Sequence, residues 1–572
     1  MTNSKRWSIM PVLPAQAQKD LEAFPPILQQ LLYNRGYATR ASAQAFVQAD
    51  VIFNTSPFQM IGMEKVVARI LLALDRQEPV AIYGDYDVDG VTATALLVQT
   101  LQALGLVVRG YIPNRFDEGY GLNNEALSTL KQDGVGLVIT VDCGIRSPAE
   151  AAFAGQIGLD LIISDHHQPA ETLPEAFAVI NPKQTGDTYP DKDLAGVGIA
   201  YKIAQALLDR YRQTGRQTDF NLDLVLDLVA LGTVADLAPL AGENRMLVRK
   251  GLLGIRAATR QGLFALANVA DLTIAKTTAV NIGFVLGPRL NAAGRLDSAL
   301  AAFDLLTTTD RMLAGTLAQK LESQNRERQE LTRQIQAQAE EMAADADQDP
   351  YILFAVHPDF NSGVVGLAAS RLAETHYRPA VVGQRSEETT RCSCRSIPEF
   401  HITQALDLCA DLLVRHGGHA AAAGFTVRNE NLPELQRRLK EIATTQLKNE
   451  KLRPTLSADM VVALRDMKTE VLTQLGYLQP TGYGNQDAVF VSRNLQVKAS
   501  RTVGADAKHI KMTLTDGSVT FDAIGFRLGH LQQNMPPRVD VMFTFETNEY
   551  NGRTSLQLNL KDVKRTGDPD AG

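Results

Sequence analysis

The chain has 572 residues, of which 45% are hydrophobic and 21% are charged, a composition typical of a globular protein with several domains. Its formal net charge of -7 argues against a protein that coats nucleic acid through bulk charge. No apolar run approaches the ~18 residues of a membrane span, and the start lacks a signal-peptide pattern. Four cysteines without paired spacing indicate neither a disulfide framework nor a zinc site. We therefore expect a cytoplasmic protein.

Residues 1–62 are predicted to be mostly helical, and no chemistry is assigned to them. From residue 63 to residue 309, strand-like runs alternate with helices of ~10–15 residues, which indicates a parallel sheet with right-handed crossovers. The predicted helices cover 63–76, 91–104 and 123–131. The fold class expected for this part is α/β.

The strongest signal is an apolar run, 80–84, that leads into three aspartates at alternate positions and a glycine. Read as a strand that runs into a turn, it places Asp85, Asp87 and Asp89 on one side. Three carboxylates this close repel one another unless a cation lies among them, which predicts a divalent metal site. The alternative is an ordinary turn, where Asp and Gly are common.

The same Asp-x-Asp-x-Asp-Gly pattern opens an EF-hand calcium loop. That loop needs a bidentate Glu at its twelfth position, which is Leu96 here, and it follows a helix rather than a strand-like run. A calcium loop is therefore rejected. The helix predicted over 91–104 would begin directly after the aspartates, so its free N–H groups are expected to receive a substrate phosphate.

Three later apolar runs, 137–141, 161–164 and 228–235, also end in residues that can bind a metal. These residues are Asp142, Asp165, His166, His167 and Asp236. Ligand sites of open parallel sheets lie beyond the carboxyl ends of the strands, so we expect these side chains to converge on one crevice.

A Gly- and Ala-rich segment, 287–295, is interpreted as a loop. Arginines in such a loop can approach a phosphate closely and bind it with two parallel hydrogen bonds, which makes Arg289, Asn291 and Arg295 candidate substrate contacts. Alternatively, these arginines pair with the acidic residues or cap a helix.

The rest of the chain predicts three further segments. A proline-free stretch over 310–348 indicates one connecting helix of ~50 Å. Residues 349–453 form a smaller α/β domain, whose candidate binding residues are Ser393, Arg395, Ser396 and His419. Over 454–572 the pattern alternates with period two, and Asn551-Gly552 signals a hairpin, which is typical of a small barrel of the oligonucleotide-binding (OB) type. The predicted domains are therefore 1–62, 63–309, 310–348, 349–453 and 454–572.

At this point the chain resembles the DHH phosphoesterase family and, within it, the RecJ group of single-strand-specific exonucleases. The segments that carry the resemblance are 84–92, 141–144, 165–167, 232–238, 287–295 and 417–424. They extend over nearly the whole chain and follow the family's order. The resemblance implies two α/β lobes joined by a long helix, followed by an OB barrel.

The resemblance also implies roles for individual residues. It assigns Asp85, Asp87, Asp89, Asp142, His166 and Asp236 to two Mn²⁺ or Mg²⁺ ions, with Asp142 as the best candidate for a bridge. Asp165 would orient a ligating histidine, and His167 would face the phosphate. The substrate would be held by Arg115, Arg289, Ser393, Arg395 and His419. Tyr111 or Tyr120, in the loop of Arg115, suits a base face, although a plain surface loop is the alternative.

The sequence departs from the family at three positions. Cys392 and Cys394 stand where the family more often has glycines, and Asn361 stands where a histidine is usual. These changes put the geometry of the end-binding pocket in doubt.

The resemblance implies a 5′→3′ exonuclease that hydrolyses single-stranded DNA to mononucleotides in repair and recombination, with a single-strand-binding protein and a helicase as partners. Two alternatives stay open. One is a phosphoesterase for short oligonucleotides or nucleotide phosphates, and the other is a catalytically silent single-strand-binding scaffold. Nothing in the predicted helices demands a dimer, so a monomer is expected.

Overall fold

The computed structural model describes residues 5–48, 55–115, 117–119, 121–346, 351–550 and 552–572. The chain divides into two compact units. The larger unit contains Arg6–Asn291, Ser298–Gln319 and Thr455–Gly572, and the smaller unit contains Met1–Lys5, Ala292–Asp297 and Lys320–Pro454. The predicted division into five segments stays a prediction.

The larger unit is built on a five-stranded parallel sheet. Its strands lie in the order Val108–Tyr111, Val80–Gly84, Leu137–Val141, Asp160–Ser164 and Ala178–Ile180. Every residue of the two strands Val80–Gly84 and Leu137–Val141 is buried, as expected for parallel strands that are covered on both faces. Because all strands run the same way, their carboxyl ends share one edge of the sheet.

Helices cover this sheet, whereas the first three helices of the chain pack against the core of the C-terminal part. The helices of the larger unit before the connecting helix are Ala15–Asp20, Pro26–Asn34, Arg40–Gln48, Met63–Arg76, Val88–Ala103, Asn124–Gln132, Pro148–Gln156, Gly196–Gln213, Leu226–Ala235, Gly242–Arg256, Gln261–Val269, Ala279–Asn281 and Leu300–Thr307, and Gly287–Leu296 crosses between the units. The predicted helix over 63–76 is confirmed to the residue, and that over 123–131 is shifted by one.

The first element is a strand, not a helix. Arg6–Ile9 pairs in parallel with Thr455–Ala458, and this pairing buries Trp7 in a small cluster with Val491 and Met542. The prediction of a mostly helical start is therefore right for the three helices that follow and wrong for this strand. Its partner lies 449 residues away in the chain, so no local pattern could reveal the pairing.

Two other segments also differ from their predictions. The apolar run before Asp236 is the helix Leu226–Ala235, of which all but the last residue are buried. Periodicity cannot separate a fully buried helix from a buried strand, which explains the error. The segment predicted as an arginine-bearing loop is the helix Gly287–Leu296, preceded by the π-helical turn Ile282–Leu286. Its Ala, Leu and Arg residues favour a helix more than its two glycines oppose one.

The C-terminal part of the larger unit is a closed five-stranded barrel. Its strands follow one another around the barrel in the order Phe490–Val503, His509–Thr515, Thr520–Gly525, Arg553–Arg565 and Arg538–Tyr550. The last strand pairs with the first, which closes the barrel. The register of the first strand shifts at two places, and such bulges let a long strand curve around a small barrel. The predicted barrel is confirmed. Asn551 of the predicted hairpin turn lies outside the described residues.

The smaller unit contains a five-stranded mixed sheet. Its strands lie in the order Leu413–Gly418, Ala422–Arg428, Thr389–Arg395, Ala380–Arg385 and Leu353–His357. Its helices are Val365–His376, Ile402–Asp407 and Leu432–Leu447. The predicted connecting helix is present as Arg311–Ala346, whose 36 residues begin in the larger unit and continue in the smaller one. Across the described ranges, no helix combines the length and apolarity needed to cross a membrane.

A buried arginine ties three distant segments of the larger unit together. Arg245 is 2% exposed, and its guanidinium lies 3.8 Å from the ring centre of Phe46. It donates hydrogen bonds to the backbone carbonyls of Phe46, Tyr477 and Gln479, at 2.6 to 2.8 Å. One planar side chain thus joins the N-terminal helices, the helix Gly242–Arg256 and the segment that leads into the barrel.

Replacement of this arginine by lysine, Arg245→Lys, should lower the free energy of unfolding by about 2 to 4 kcal/mol. The point charge of lysine cannot serve three carbonyls in a plane, so buried acceptors lose their donors. Urea denaturation followed by circular dichroism measures the effect. The matched control is Arg249→Lys, one helical turn away. Arg249 donates one hydrogen bond of 3.3 Å, to the carbonyl of Val47, so its replacement should cost much less. Equal losses for the two variants would contradict the role given to Arg245.

Candidate metal centre

Three neighbouring strands deliver acidic residues to the same edge of the parallel sheet. Asp85 follows Val80–Gly84, Asp142 follows Leu137–Val141, and Asp165 follows the next strand. Asp142 has a left-handed backbone, with φ of 63°. Left-handed φ is unfavourable for residues with a side chain, and such strain is characteristic of functional sites. The predicted convergence of strand ends is therefore present in the structure.

Asp87 has a structural task as well. The helix begins at Val88, three residues before the predicted start. Asp87 caps it, since Asp87 Oδ1 accepts the N–H groups of Asp89 and Gly90 at 2.9 and 3.2 Å. The Val88 N–H donates to Asn291 Oδ1 at 3.0 Å. The three aspartates are thus not a continued strand. The N–H groups expected to receive a phosphate are already used within the protein, so that prediction is wrong.

Asp89 holds the start of a second helix. Its Oδ2 and Oδ1 accept the N–H groups of Gly196 and Val197 at 2.7 and 2.8 Å, at the first turn of Gly196–Gln213. A β-carbon at position 196 would lie 2.7 Å from Asp142 Cβ, so only glycine allows this approach. The sequence reasoning missed these two backbone donors. The glycines that flank Val197, directly before an amphipathic pattern, are the signal that could have revealed them.

The metal-competent side chains form three overlapping groups, in each of which the ligand atoms lie within 4.8 Å of one another. The groups are Asp85, Asp87 and Asp142; Asp89, His166 and Asp236; and Asp142, His166 and His167. His166 Nε2 lies 3.0 Å from Asp142 Oδ1, 3.8 Å from Asp236 Oδ2 and 3.9 Å from Asp89 Oδ2. Asp142 belongs to two of these groups, so its one carboxylate would be shared by two ions.

Unpaired buried acceptors show that a cation fits these groups. No donor among the described residues reaches Asp85 Oδ1 or Asp142 Oδ1. His166 Nε2 is close to Asp142 Oδ1, but the pair does not have hydrogen-bond geometry. Buried acceptors that face one another without donors are costly, and a divalent ion relieves that cost.

The electrostatics of the cluster lead to the same conclusion. Burial and then the charges of neighbouring aspartates raise the pKa of Asp89 to about 7 and that of Asp236 to about 8. The same causes raise the pKa of Asp142 well above its usual range. Burial, followed by the charge of His167, lowers the pKa of His166 to about 3, so its imidazole is neutral and able to ligate. A set of carboxylates with a neutral imidazole suits Mn²⁺ or Mg²⁺.

Asp165 orients His167. Its carboxylate accepts the backbone N–H groups of Ile145, His166 and His167, and it lies 2.7 Å from His167 Nδ1. Burial would raise the pKa of Asp165, but the hydrogen bond with His167 and the backbone donors lower it overall. Burial would lower the pKa of His167, whereas Asp165 raises it to about 9. Asp165 therefore orients His167, whereas His166 is the histidine that lies beside Asp142.

Arg115 lies beside the first aspartates. Its guanidinium is 4.7 Å from the ring centre of Tyr86, and its charge acts on the Asp85 carboxylate. Glu118 orders this loop, because it accepts hydrogen bonds from the Tyr111 hydroxyl at 2.6 Å and the Asn114 N–H at 2.8 Å. Tyr111 is therefore engaged within the loop, and Tyr120 lies outside the described residues.

Three predicted substrate residues lie on the helix Gly287–Leu296, and each of them contacts another part of the protein. Arg289 Nη1 donates to the carbonyl of Val285 at 2.8 Å, and Asn291 accepts from Val88 as described. Arg295 belongs to the smaller unit, where its Nη1 donates to the carbonyl of Gly363 at 3.2 Å.

Ser393 and Arg395 lie together in the smaller unit. A β-carbon at Gly366, at the start of the helix Val365–His376, would be 3.5 Å from Ser393 Oγ and 3.4 Å from Arg395 Nη2. Along the strand, Cys392 and Cys394 alternate with these residues and point into the core, where burial raises the pKa of both thiols. The cysteines therefore occupy the opposite face of the strand.

The remaining candidates of the smaller unit differ in exposure. Ser396 Oγ donates to the carbonyl of Phe400 at 2.6 Å, which is a structural bond. His419 is exposed, and its N–H donates to the carbonyl of Ala422 at 2.7 Å. Asn361, the other departure from the family, accepts the Gly363 N–H at 2.8 Å and so shapes the turn before the helix.

Comparison with known proteins supports each part of this architecture. Family models match residues 79–233 (DHH family, N-terminal domain), 348–445 (DHHA1 domain) and 458–562 (RecJ OB domain). The single-stranded-DNA-specific exonuclease RecJ of Bacillus subtilis (strain 168) is 39% identical, over 94% of this chain and 68% of that protein. The protein of the same name from Salmonella typhimurium is 34% identical, over 94% of this chain and 96% of that protein.

Solved structures agree. The crystal structure of RecJ in complex with Mn²⁺ from Thermus thermophilus superposes with a TM-score of 0.84 at 28% identity, covering 98% of this chain and 80% of that one. A parallel sheet with aspartates and histidines at its carboxyl edge, followed by a DHHA1 domain, defines the DHH class. Within that class, the chain belongs to the RecJ family. The resemblance inferred from the motifs and the expected fold class are confirmed.

The variant Asp142→Asn should bind Mn²⁺ much more weakly than the wild type. Asparagine keeps the shape and tolerates the left-handed backbone, but it removes the charge that two groups share. The wild type should gain thermal stability on addition of Mn²⁺, since a ligand that binds only the folded state stabilises it, and the variant should lose most of that gain. Differential scanning fluorimetry measures both shifts. Asp133→Asn, on an exposed ion pair with Arg109, is the control that should keep the full shift.

Proposed function

We propose that this protein is a metal-dependent 5′→3′ exonuclease that hydrolyses single-stranded DNA to mononucleotides. The observation that carries the proposal is the cluster of carboxylates with a neutral imidazole, whose buried acceptors have no donors. The relatives of the chain are named single-stranded-DNA-specific exonucleases, which supports the same function. Membership of the RecJ family favours this function over the small-substrate phosphoesterase. The complete ligand set favours it over the silent scaffold.

The proposed metal ligands are Asp85, Asp87, Asp89, Asp142, His166 and Asp236, arranged for two Mn²⁺ or Mg²⁺ ions with Asp142 between them. When bound, such ions activate the attacking water and neutralise the charge that develops on the phosphate oxygens. The chain itself keeps His166 neutral through burial and holds Asp89 through the backbone of Gly196 and Val197. Asp165 keeps His167 oriented and positively charged, so that His167 can donate a hydrogen bond to the scissile phosphate.

Substrate contacts are proposed in both units. Arg115 lies at the aspartates, and Ser393 with Arg395 forms a cradle for an anion at a helix start, which suits a terminal phosphate. We retain Arg289, Asn291, Arg295, Ser396 and His419 as proposed contributors. Because the hydroxyl of Ser396 is bonded to Phe400, it supports the cradle rather than the ligand.

The cellular setting follows from the proposed activity. An exonuclease for single strands acts in DNA repair and recombination, and it needs strands that a helicase exposes and a single-strand-binding protein covers. We propose a cytoplasmic monomer with these partners, with domains at 1–62, 63–309, 310–348, 349–453 and 454–572.

The activity is tested on internally labelled single strands with Mn²⁺, blocked at one end or the other. The wild type should release mononucleotides unless the 5′ end is blocked, and EDTA should stop the reaction. Asp142→Asn should reduce the rate by at least about a thousandfold, since loss of the shared carboxylate weakens the binding of the ions that would stabilise the charge of the transition state. Cleavage confined to very short oligomers would favour the small-substrate enzyme, and binding without any cleavage would favour the scaffold.

The anion cradle gives a separate prediction. Ser393→Ala should weaken the preference for strands with a 5′ phosphate over strands with a 5′ hydroxyl by about tenfold, because one hydrogen bond to a charged oxygen is lost. Ser386→Ala, at an exposed serine of the same unit, is the matched control. It should leave both thermal stability and the end preference unchanged. Competition assays with the two kinds of strand report the preference, and equal effects of the two variants would refute the cradle.

A further inference from the structure

An apolar pocket of about 380 Å³ lies directly beside Asp236 in the larger unit. Val234, two residues before this aspartate, and Leu237, the residue after it, line the pocket. Its other walls come from the segment that contains Val280 and Phe284 and from the segment that contains Tyr483. The volume falls within the range of about 300–1,000 Å³ that is typical of small-molecule sites. We call it the Leu237 pocket.

The walls of the Leu237 pocket expose large apolar side chains to solvent. Phe284 is 79% exposed, Leu237 is 64% exposed and Tyr483 is 61% exposed. Exposed apolar groups that cluster in a concave site mark a binding surface more often than single exposed residues do. Two of these three side chains are aromatic, which gives the pocket flat faces.

Leu237 ends the helix Leu226–Ala235, one residue after the metal-competent Asp236. Its φ of 61° is left-handed, and the N–H groups of Leu237 and Ala238 donate to the carbonyls of Val234 and Thr233, which closes the helix. Glycine is the usual residue at such a helix end, because a β-carbon is unfavourable there. The backbone of Leu237 thus serves the helix end, whereas its exposed side chain forms part of the pocket wall.

The charges of the pocket exclude a phosphate as its occupant. Among the described residues that line it, the only ionised side chain is Asp487, which accepts a hydrogen bond from the Thr481 hydroxyl at 2.6 Å. A negative group would repel a phosphate. Flat apolar faces beside a few hydrogen-bonding groups instead match a nucleobase, which stacks on aromatic rings whatever its identity.

We propose that the Leu237 pocket binds one unpaired base of a DNA strand whose phosphate lies at the metal groups. The inference rests on the proposed exonuclease function and deepens it, since it gives the protein a reason to prefer single strands. A base in a duplex has both faces stacked and its edge paired, so it can enter the pocket only if the duplex opens. Continuity with Asp236 places this base next to the reacting phosphate.

The test compares an oligo-dT strand with strands in which one nucleotide near the 5′ end at a time is replaced by an abasic residue. Binding is measured by fluorescence anisotropy with Ca²⁺, and cleavage rates are measured with Mn²⁺. The wild type should bind the complete strand about tenfold more tightly than the strand that lacks a base at one particular position. Phe284→Ala and Leu237→Gly should remove this difference, and Phe284→Tyr should keep it because a ring remains.

Two controls make the outcomes decisive. Phe264→Ala removes an exposed aromatic residue of the same unit from a different groove, and it should behave as the wild type. Leu237→Gly should not lower thermal stability, since glycine accepts the left-handed backbone, so its loss of discrimination cannot be attributed to unfolding. The proposal is overturned if the wild type shows no position-specific preference for a base, or if the pocket variants retain it. A wild type that discriminates in binding but cleaves no strand would refute the exonuclease function alone.

Discussion

The mutual repulsion of buried carboxylates is the constraint on which the rest of this structure depends. Burial already disfavours each charge, and the neighbouring charges raise the pKa of Asp142 well above its usual range. The fold offsets part of this cost with backbone N–H groups. Asp87 caps one helix, Asp89 receives the first N–H groups of another, and Asp165 receives three backbone donors. Within the cluster, Asp85 Oδ1 and Asp142 Oδ1 remain without a donor, which suits them to a cation.

The same hydrogen bonds make the site inseparable from the fold. Asp89 joins the helix Val88–Ala103 to the start of Gly196–Gln213, and this approach requires that position 196 has no β-carbon. Gly232, on the neighbouring helix, is equally constrained, since a β-carbon there would lie 2.8 Å from Asp89 Oδ1. Glycines therefore set how closely two helices approach the carboxylates. Loss of Asp87 or Asp89 would therefore remove contacts that hold a helix start together with a metal-competent carboxylate.

The sequence predicted the residues of the site better than the elements that carry them. Asp85 and Asp142 were found because hydrophobic runs end at them, a pattern that survives whatever the exact strand bounds are. The start of the helix at Val88 was missed because aspartate serves equally as ligand, turn residue and cap. The helix before Asp236 was missed because it is apolar all round. The backbone donor of Gly196 carries no side-chain signature, and its one trace in the sequence is the pair of glycines that flank Val197.

Backbone strain at the metal centre has a common form. Asp142 and Leu237 both adopt a left-handed conformation, one directly after a strand and the other directly after Asp236. In the first case the strained residue belongs to the metal groups, and in the second it is the neighbour of one that does. A sharp turn lets the chain present consecutive side chains in different directions, so that the Asp236 carboxylate belongs to a metal-competent group while Leu237 lines the pocket. The roles proposed for Asp236 and for the Leu237 pocket therefore depend on the same turn of the backbone.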